Sequence, residues 1–568
     1  MWAFKKLEAD DEFTGGAENF AIDRKVHNFV REAIQNVYDQ RQDEKSSVAV
    51  SFDFYDLVGE NLQAFLNDIR WNEGLHEHIS ICSQSANHDA NKIGRNLEKF
   101  ETGVMRVLIV SDHKTVGLSG DEYGTNGNFC KLCRNNMIPS EGTGSHKRGG
   151  AFGVGKSVYW SFSGFNTVVF SSIYKDDSKN IASRVFGRTH LPDHEALVGS
   201  THVRYKGNGN MCRYDDNSQR HSMTFQEAGI TKGSLLYRDL DNKDYGTTIA
   251  VIMYDERSDG ATASIDEIAR TFHDAIVANF WPMLNENLLE ASVSWTTSKD
   301  AKGSISVAIP SEFDPFVRAA NFPQDHDALE STEEEQLLDE GEVAFFESEI
   351  RIPQRIVKDD THPAAPNAKV AVSITRLTES ERDQLKVFED RYPDMKFVNR
   401  IANVRKPMMA VENREYVHGN CLDHVGVVRA GLFRSVAGNV DENDNYVEQF
   451  LRDSEPPAHD KWTFTDKISS SYKTPWKEVV NNTYDRIGES AKRLLKAVLK
   501  GEQDRPNGLA DLLAIKGGGG GRGGGGGGGG VVGAQFSSHI VDVEWDFAAN
   551  QAICHVLVKR KKGAKKSG

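Results

Sequence analysis

Residues 517–530 are all glycine except Arg522. Chain without side chains has no apolar surface to bury and loses the most conformational freedom when ordered. The tract therefore reads as a flexible linker, so a core must come from the residues before it or the short segment after it. The body before it is too long for one compact core, given about 150 residues per domain. The expected organisation is a first domain over 1–255, a second over 256–515, the linker over 516–533, and a C-terminal β segment over 534–568. That last segment ends in the basic run KRKKGAKK, residues 559–566.

Periodicity fills in the body. Over 24–39, Val26, Val30, Ala33, Ile34 and Val37 recur at i, i+4, i+7, i+8 and i+11, one stripe of an amphipathic helix. VAVSFDF (48–54) alternates like a half-buried strand, and MRVLIVSD (105–112) is an apolar strand ending in Asp. A polar, Gly-rich stretch over 113–155 leads to a short helix at 156–163, strands at 167–173 and 181–186, and a strand TTIAVIMY at 247–254. The second region opens with a helical pattern over 264–280. Strand-like runs follow at 291–297 and 369–377, then a long helix over 476–500. ESTEEEQLLDEGE, 330–342, reads as a solvated acidic insertion. Strands mixed with helices make the expected class α+β or α/β, and we take α+β.

The net charge of −15 does not draw nucleic acid to the surface as a whole, so DNA contact would need a local basic patch. The first residues, MWAFKKLEADDEF, lack the apolar core of a secretory signal, and no run of about 18 apolar residues occurs. The expectation is a cytoplasmic protein without a membrane segment. Six scattered cysteines suit free thiols in a reducing compartment. Cys130-x2-Cys133 with His146 downstream supplies three plausible zinc ligands where four are needed, so free thiols are the simpler reading.

Four separated pieces, in chain order, can build one ATP site. Glu32, Asn36 and Asp39 stand at i, i+4 and i+7 on a helix face opposite the apolar stripe. A Glu there can activate water and an Asn can offer oxygen to Mg²⁺; alone, the pattern is an ordinary solvated face. Asp112 ends its strand, where a carboxylate can accept from an exocyclic amine, and Gly117 and Gly120 let backbone approach a ring. The plain alternative is an Asp starting a turn. Gly149-Gly150-Ala-Phe-Gly153-Val-Gly155-Lys156-Ser157 opens a helix, and free N–H groups at such an opening bind phosphate. Gly246-Thr247-Thr248 begins a strand, where Thr247 can assist at a base. Taken singly, Thr there is simply a good strand former.

Gly150-x4-Gly155-Lys156-Ser157 also satisfies the Walker A pattern, and the strand ending at Tyr254 followed by Asp255-Glu256 imitates Walker B. A P-loop, however, leaves a buried apolar strand, whereas GTGSHKR precedes Gly149. The P-loop reading also gives Glu32, Asn36 and Asp112 nothing to do.

The order ExxxNxxD helix, strand-ending Asp, Gly-rich lid and GT strand resembles the GHKL superfamily of gyrase, MutL, MORC and heat-shock chaperone ATPases. GGAFGVGKSVYW is similar to the second glycine box of the chaperone ATPases. SDHKTVGLSG departs from DxGxG in placing Gly117 five residues after Asp112, a variant that resembles bacterial MORC-like members associated with phage defence and DNA modification. NRIANVRKPMMAV (399–411) and FLRDSEPPAHDKW (450–462) look similar to the same group. The resemblance covers about 20–255 well and 256–500 loosely, and stops before the glycine tract.

It implies a two-layer Bergerat sandwich followed by a transducer-like α/β domain, binding ATP and Mg²⁺. Glu32 would be the general base and Asn36 the Mg²⁺ ligand, with Asp39 supporting the phosphate side. Asp112 would read adenine; Gly117, Gly150, Gly153, Gly155, Lys156 and Ser157 would line base and phosphates; Thr247 would assist at the base. Arg405 or Lys406 would bring positive charge to the terminal phosphate. The implied protein is an ATPase whose nucleotide closes a lid and drives homodimerisation, acting on DNA or on an effector protein encoded nearby in antiviral defence. An ATP-dependent protein-clamping chaperone is the alternative, and a P-loop NTPase a lesser one.

Overall fold

The computed structural model describes residues 1–8, 11, 25–43, 46–84, 88–124, 127–134, 155–255, 263–321, 337–355, 367–406, 408–416, 421–433, 442–456, 460–472, 477–499, 536–546 and 551–560. Gly150, Gly153, His146 and the glycine tract lie outside these.

The chain is α+β and divides into two compact units, Met1–Gln503 and Asp504–Gly568. A large mixed sheet dominates the first. Its strand order is Trp2–Lys6, Thr201–Met211, Ile181–His190, Thr167–Lys175, Gly246–Ile252, Met105–His113, Val48–Leu57, Leu289–Thr296, Lys302–Val307, with His194–Val198 pairing off Thr201–Met211. The sheet runs past residue 255, because Leu289–Thr296 lies parallel to Val48–Leu57, with Leu289 opposite Val48 and Thr296 opposite Tyr55.

The central strands are buried along their length, which is why their sequences read as apolar runs rather than strict alternation. In Met105–His113, Leu108 and Val110 pack into one core cluster with Phe29, Ile34, Phe272 and Ile276. Val107 and Ile109 point the other way, into a cluster with Leu62, Phe65, Ile93 and Leu97. Period-two side-chain alternation thus feeds apolar helices on both faces. Helix Val26–Asp39 packs its predicted stripe, Val30, Ala33, Ile34 and Val37, into the first cluster beside helix Ile265–Asn285.

A second sheet follows in the same unit, in the order Val343–Arg351, Asn367–Arg376, His424–Arg429, Arg400–Arg405, Met409–Arg414. Its last hairpin reaches the Val26–Asp39 helix: Arg31, 1% exposed, donates Nη1 to Asn279 Oδ1 (2.8 Å) and to the Ala410 carbonyl (3.0 Å). In the other unit, Phe536–Asp546 and Gln551–Arg560 form an antiparallel hairpin, with Phe536 opposite Arg560 and Asp546 opposite Gln551. No helix among the described residues is long and apolar enough to cross a membrane.

Candidate nucleotide site

Antiparallel pairing sets the first half of the site. Gly246–Ile252 runs against Met105–His113, so the start of one strand meets the end of the other. Asp112 Oδ1 accepts from the Thr247 backbone N–H (3.1 Å) and from the Thr115 hydroxyl. The other carboxylate oxygen takes no hydrogen bond among the described residues. It is free of those bonds and can accept from an amine. Asp112 is 8% exposed, and burial pushes its pKa up against the opposing pull of Arg238, Thr115 and Thr247.

Behind it, buried Arg238 donates Nη2 to the Asp112 carbonyl (2.6 Å) and to Asp244 Oδ1 (3.1 Å), and Nη1 to Thr248 Oγ1 (3.0 Å). Asp244 also holds His113 Nδ1 at 2.6 Å. The guanidinium therefore locks the two strand ends in register. Gly246 adopts φ +148, and a Cβ there would sit 2.2 Å from the Asp112 carbonyl oxygen.

The loop after Asp112 is tied on two sides. Gly117, at φ +63, lies so close to the Ile173 carbonyl that a Cβ would be 2.4 Å from it. Ser172 Oγ accepts from the Leu118 N–H (2.9 Å) and donates to the Gly246 carbonyl (2.7 Å). On the other side, the Val116 N–H donates to the Gln40 carbonyl (2.8 Å), and Gln42 Nε2 donates to the Thr115 carbonyl (2.9 Å). These bonds fasten the end of the Val26–Asp39 helix to the loop that carries Gly117.

That helix supplies the second half. Asn36 Nδ2 donates to Glu32 Oε1 (3.1 Å) across one turn, and Glu32 is 9% exposed. The Tyr159 hydroxyl bonds the Asn36 side chain and feels the charges of both Glu32 and Asp112. Tyr159 is thus close enough to feel both the Glu32–Asn36 pair and Asp112. Asp39, half-buried, acts electrostatically on Arg452 of helix Glu442–Asp453. No group of three or more His, Cys, Asp or Glu capable of holding a metal occurs among the described residues. A magnesium ion bound to phosphates needs few protein ligands, and Asn36 Oδ1, with Nδ2 committed to Glu32, is a suitable hard oxygen.

Of the expected lid, Gly155–Ser157 forms a short 3₁₀ turn opening helix Val158–Ser161. Lys156 Nζ donates to the Lys131 carbonyl (2.5 Å), and burial lowers its pKa to about 8. Ser157 Oγ is buried without a partner among the described residues. Gly150 and Gly153 lie outside the described residues. Cys130 and Cys133 are buried free thiols in the turn Cys130–Arg134, and burial pushes Cys133 up to about 12.

Of the two proposed cations, Arg405 is committed elsewhere. Its guanidinium, 1% exposed, bonds Glu455 through Nε and Nη2 and Glu448 through Nη1 (3.1 Å). Lys406, at the tip of the same hairpin and half-buried, makes no side-chain hydrogen bond or ion pair among the described residues. The Walker B imitation fares poorly as well. Asp255 Oδ2 accepts from Asn96 (2.9 Å), and the preceding strand runs antiparallel to both neighbours, unlike a strand of a βαβ unit.

Thr115, Arg238, Tyr159 and Arg452 join the site without being expected from the sequence. Thr115 stood within the quoted DHKTVG run and could have been named; the others are brought in by tertiary packing.

No protein-family profile matches the chain, and no curated protein matches it. Among solved structures, it is similar to the 43K ATPase domain of Thermus thermophilus gyrase B in complex with an aminocoumarin. That pair has 10% identity, a TM-score of 0.28, and coverage of 86% of this chain and 92% of that one. The N-terminal domain of a DNA repair protein is similar at 10% identity and TM-score 0.28, covering 74% of this chain and 91% of that one. Superpositions this loose do not assign a family.

Proposed function

We propose that the chain binds ATP with Mg²⁺ and hydrolyses it, in the manner of the GHKL ATPases it resembles. The observation that carries this reading is the junction of Asp112, Thr247 and Gly117 with the Glu32–Asn36 pair, fastened by the Val116-to-Gln40 bond. Asp112 accepts the adenine amine, and Thr115 and Thr247 keep its carboxylate turned to the pocket. Glu32 takes a proton from the attacking water. Asn36 would hold Mg²⁺, which supplies charge neutralisation at the phosphates. Asp39 supports the phosphate side, and Gly155, Lys156 and Ser157 bind there, with the expected roles of the glycines at 150 and 153 lying outside the described residues. Positive charge from the second sheet region comes from Lys406 or Arg452 rather than Arg405, whose charge is already balanced by two carboxylates.

Lid closure around the terminal phosphate converts a difference in affinity between open and closed forms into a population shift. The output we infer is nucleotide-dependent homodimerisation that engages DNA or a partner effector in defence against foreign DNA. Turnover of the full chain with and without duplex DNA, beside its mass with a non-hydrolysable ATP analogue, tests it. A doubled mass with the analogue and DNA-stimulated turnover are expected. A chain that stays monomeric and ignores DNA removes the switch reading. Client-protein stimulation would favour the chaperone instead.

A further inference from the structure

Gln35 lies three residues after Glu32 and four before Asp39, on the same side of the Val26–Asp39 helix as the catalytic pair. It is 3% exposed, and neither Oε1 nor Nε2 has a hydrogen-bond partner among the described residues. Buried amides are bonded in the great majority of native structures, so one left open at both ends marks a missing partner. A second open group feels the charge of Asp39 on the same helix. Arg452, 8% exposed and electrostatically coupled to Asp39, has an Nε without a partner among the described residues. The two side chains come from separate elements. Gln35 offers a donor and an acceptor one turn from Glu32, and Arg452 a donor near Asp39.

We propose that Gln35 is a catalytic residue contacting the terminal phosphate and the attacking water, an inference that rests on the ATP-site reading above. Nε2 donates to a terminal phosphate oxygen while Oε1 accepts from the water. The water oxygen bonds to phosphorus as the bond between phosphorus and the bridging oxygen breaks, and ADP leaves with the electron pair. One water proton passes to Glu32 and then to solvent; the other stays on the released phosphate. Gln35 gains and loses no proton. An amide suits this place because it offers a donor and an acceptor at once, which neither a carboxylate nor an ammonium does. ADP has no terminal phosphate for it to touch, so Gln35 also becomes a discriminator between ATP and ADP.

Gln35→Met keeps the volume and removes both polar atoms. With the full chain, Mg-ATP and Mg-ADP affinities, kcat and the nucleotide-free melting temperature would be measured beside wild type and Gln35→Glu. The expected result is about 100-fold lower kcat, at least tenfold weaker preference for ATP over ADP, and ADP affinity within about twofold of wild type. The nucleotide-free protein should melt higher, because an unsatisfied buried amide is gone. A purely structural glutamine would instead lower the melting temperature and weaken both nucleotides alike. Wild-type kcat and wild-type ATP preference in Gln35→Met overturn the proposal while leaving the ATP site standing. If wild type itself binds no ATP, the site reading falls and this inference with it. Should Gln35→Met fail to fold, Gln35→Glu decides. Its added negative charge should weaken ATP far more than ADP, and equal affinities would overturn the proposal.

Discussion

Replacing Gly246 with alanine puts a methyl carbon 2.2 Å from the Asp112 carbonyl, 2.6 Å from Arg238 Nη2 and 2.7 Å from Asp112 Oδ1. Backbone fixes the first of these, and buried Arg238 cannot swing aside without releasing Asp112, Thr248 and Asp244. The φ of +148 adds strain for any residue with a Cβ. Strain of this kind costs about 1–3 kcal/mol, and overpacking a close-packed site costs about as much again. The cheapest escape is outward movement of the Asp112 carboxylate, which breaks its bond from the Thr247 N–H. Loss of a charge-assisted contact to a ligand is worth about 1.5–3 kcal/mol, or roughly 10- to 150-fold in affinity. Gly246→Ala should therefore melt lower and bind ATP at least tenfold more weakly, by thermal scan and equilibrium titration of the full chain. Gly229→Ala is a control, since its Cβ meets nothing within 4 Å although its φ of +79 is strained. It should cost some stability and leave ATP affinity intact. Gly246→Ala with wild-type affinity would refute the argument that this strand start shapes the base pocket.

Other consequences follow from the same geometry. Burial raises the pKa of Asp112, so its carboxylate is lost on acidification earlier than an ordinary Asp. ATP affinity should fall as pH drops through that raised value, and Asp112→Asn should bind ATP weakly at every pH, both read by titration. Lys156, with a pKa of about 8, is charged below that pH and neutral above it. Phosphate affinity should decline from pH 7 to 9, and Lys156→Met should abolish the decline while weakening ATP at pH 7. Arg405→Met takes the guanidinium from buried Glu455 and partly buried Glu448, and should cost about 3 kcal/mol, measurable by denaturant unfolding.

What was legible in the sequence was local. The stripe on residues 26–39 follows from a 3.6-residue period, and the apolar runs at 105–113 and 246–252 from burial on both faces. Glu32 and Asn36 meet because they are four residues apart on one helix. What was not legible depends on register between distant strands. Thr247 reaches Asp112 across 135 residues of chain, and nothing local announces the pairing. The strand Leu289–Thr296 looked like part of a second region because its parallel partner, Val48–Leu57, lies far upstream. Arg405 and Lys406 are indistinguishable as neighbouring basic residues; only the carboxylates delivered by the Glu442–Asp453 helix and the residues just after it separate them. Gln35 carries no sequence signal at all, since a glutamine on a polar face is ordinary until its partners are counted.

The central claim is that four separated pieces build one ATP site, and ATP binding and turnover in one panel test it most directly. The panel is wild type, Glu32→Ala, Asp112→Asn and Lys156→Ala, each as the full chain with Mg-ATP. Glu32→Ala should keep ATP and lose turnover, and Asp112→Asn should lose ATP. Wild-type behaviour in both, with binding and turnover abolished in Lys156→Ala alone, would contradict it and return the chain to the P-loop reading.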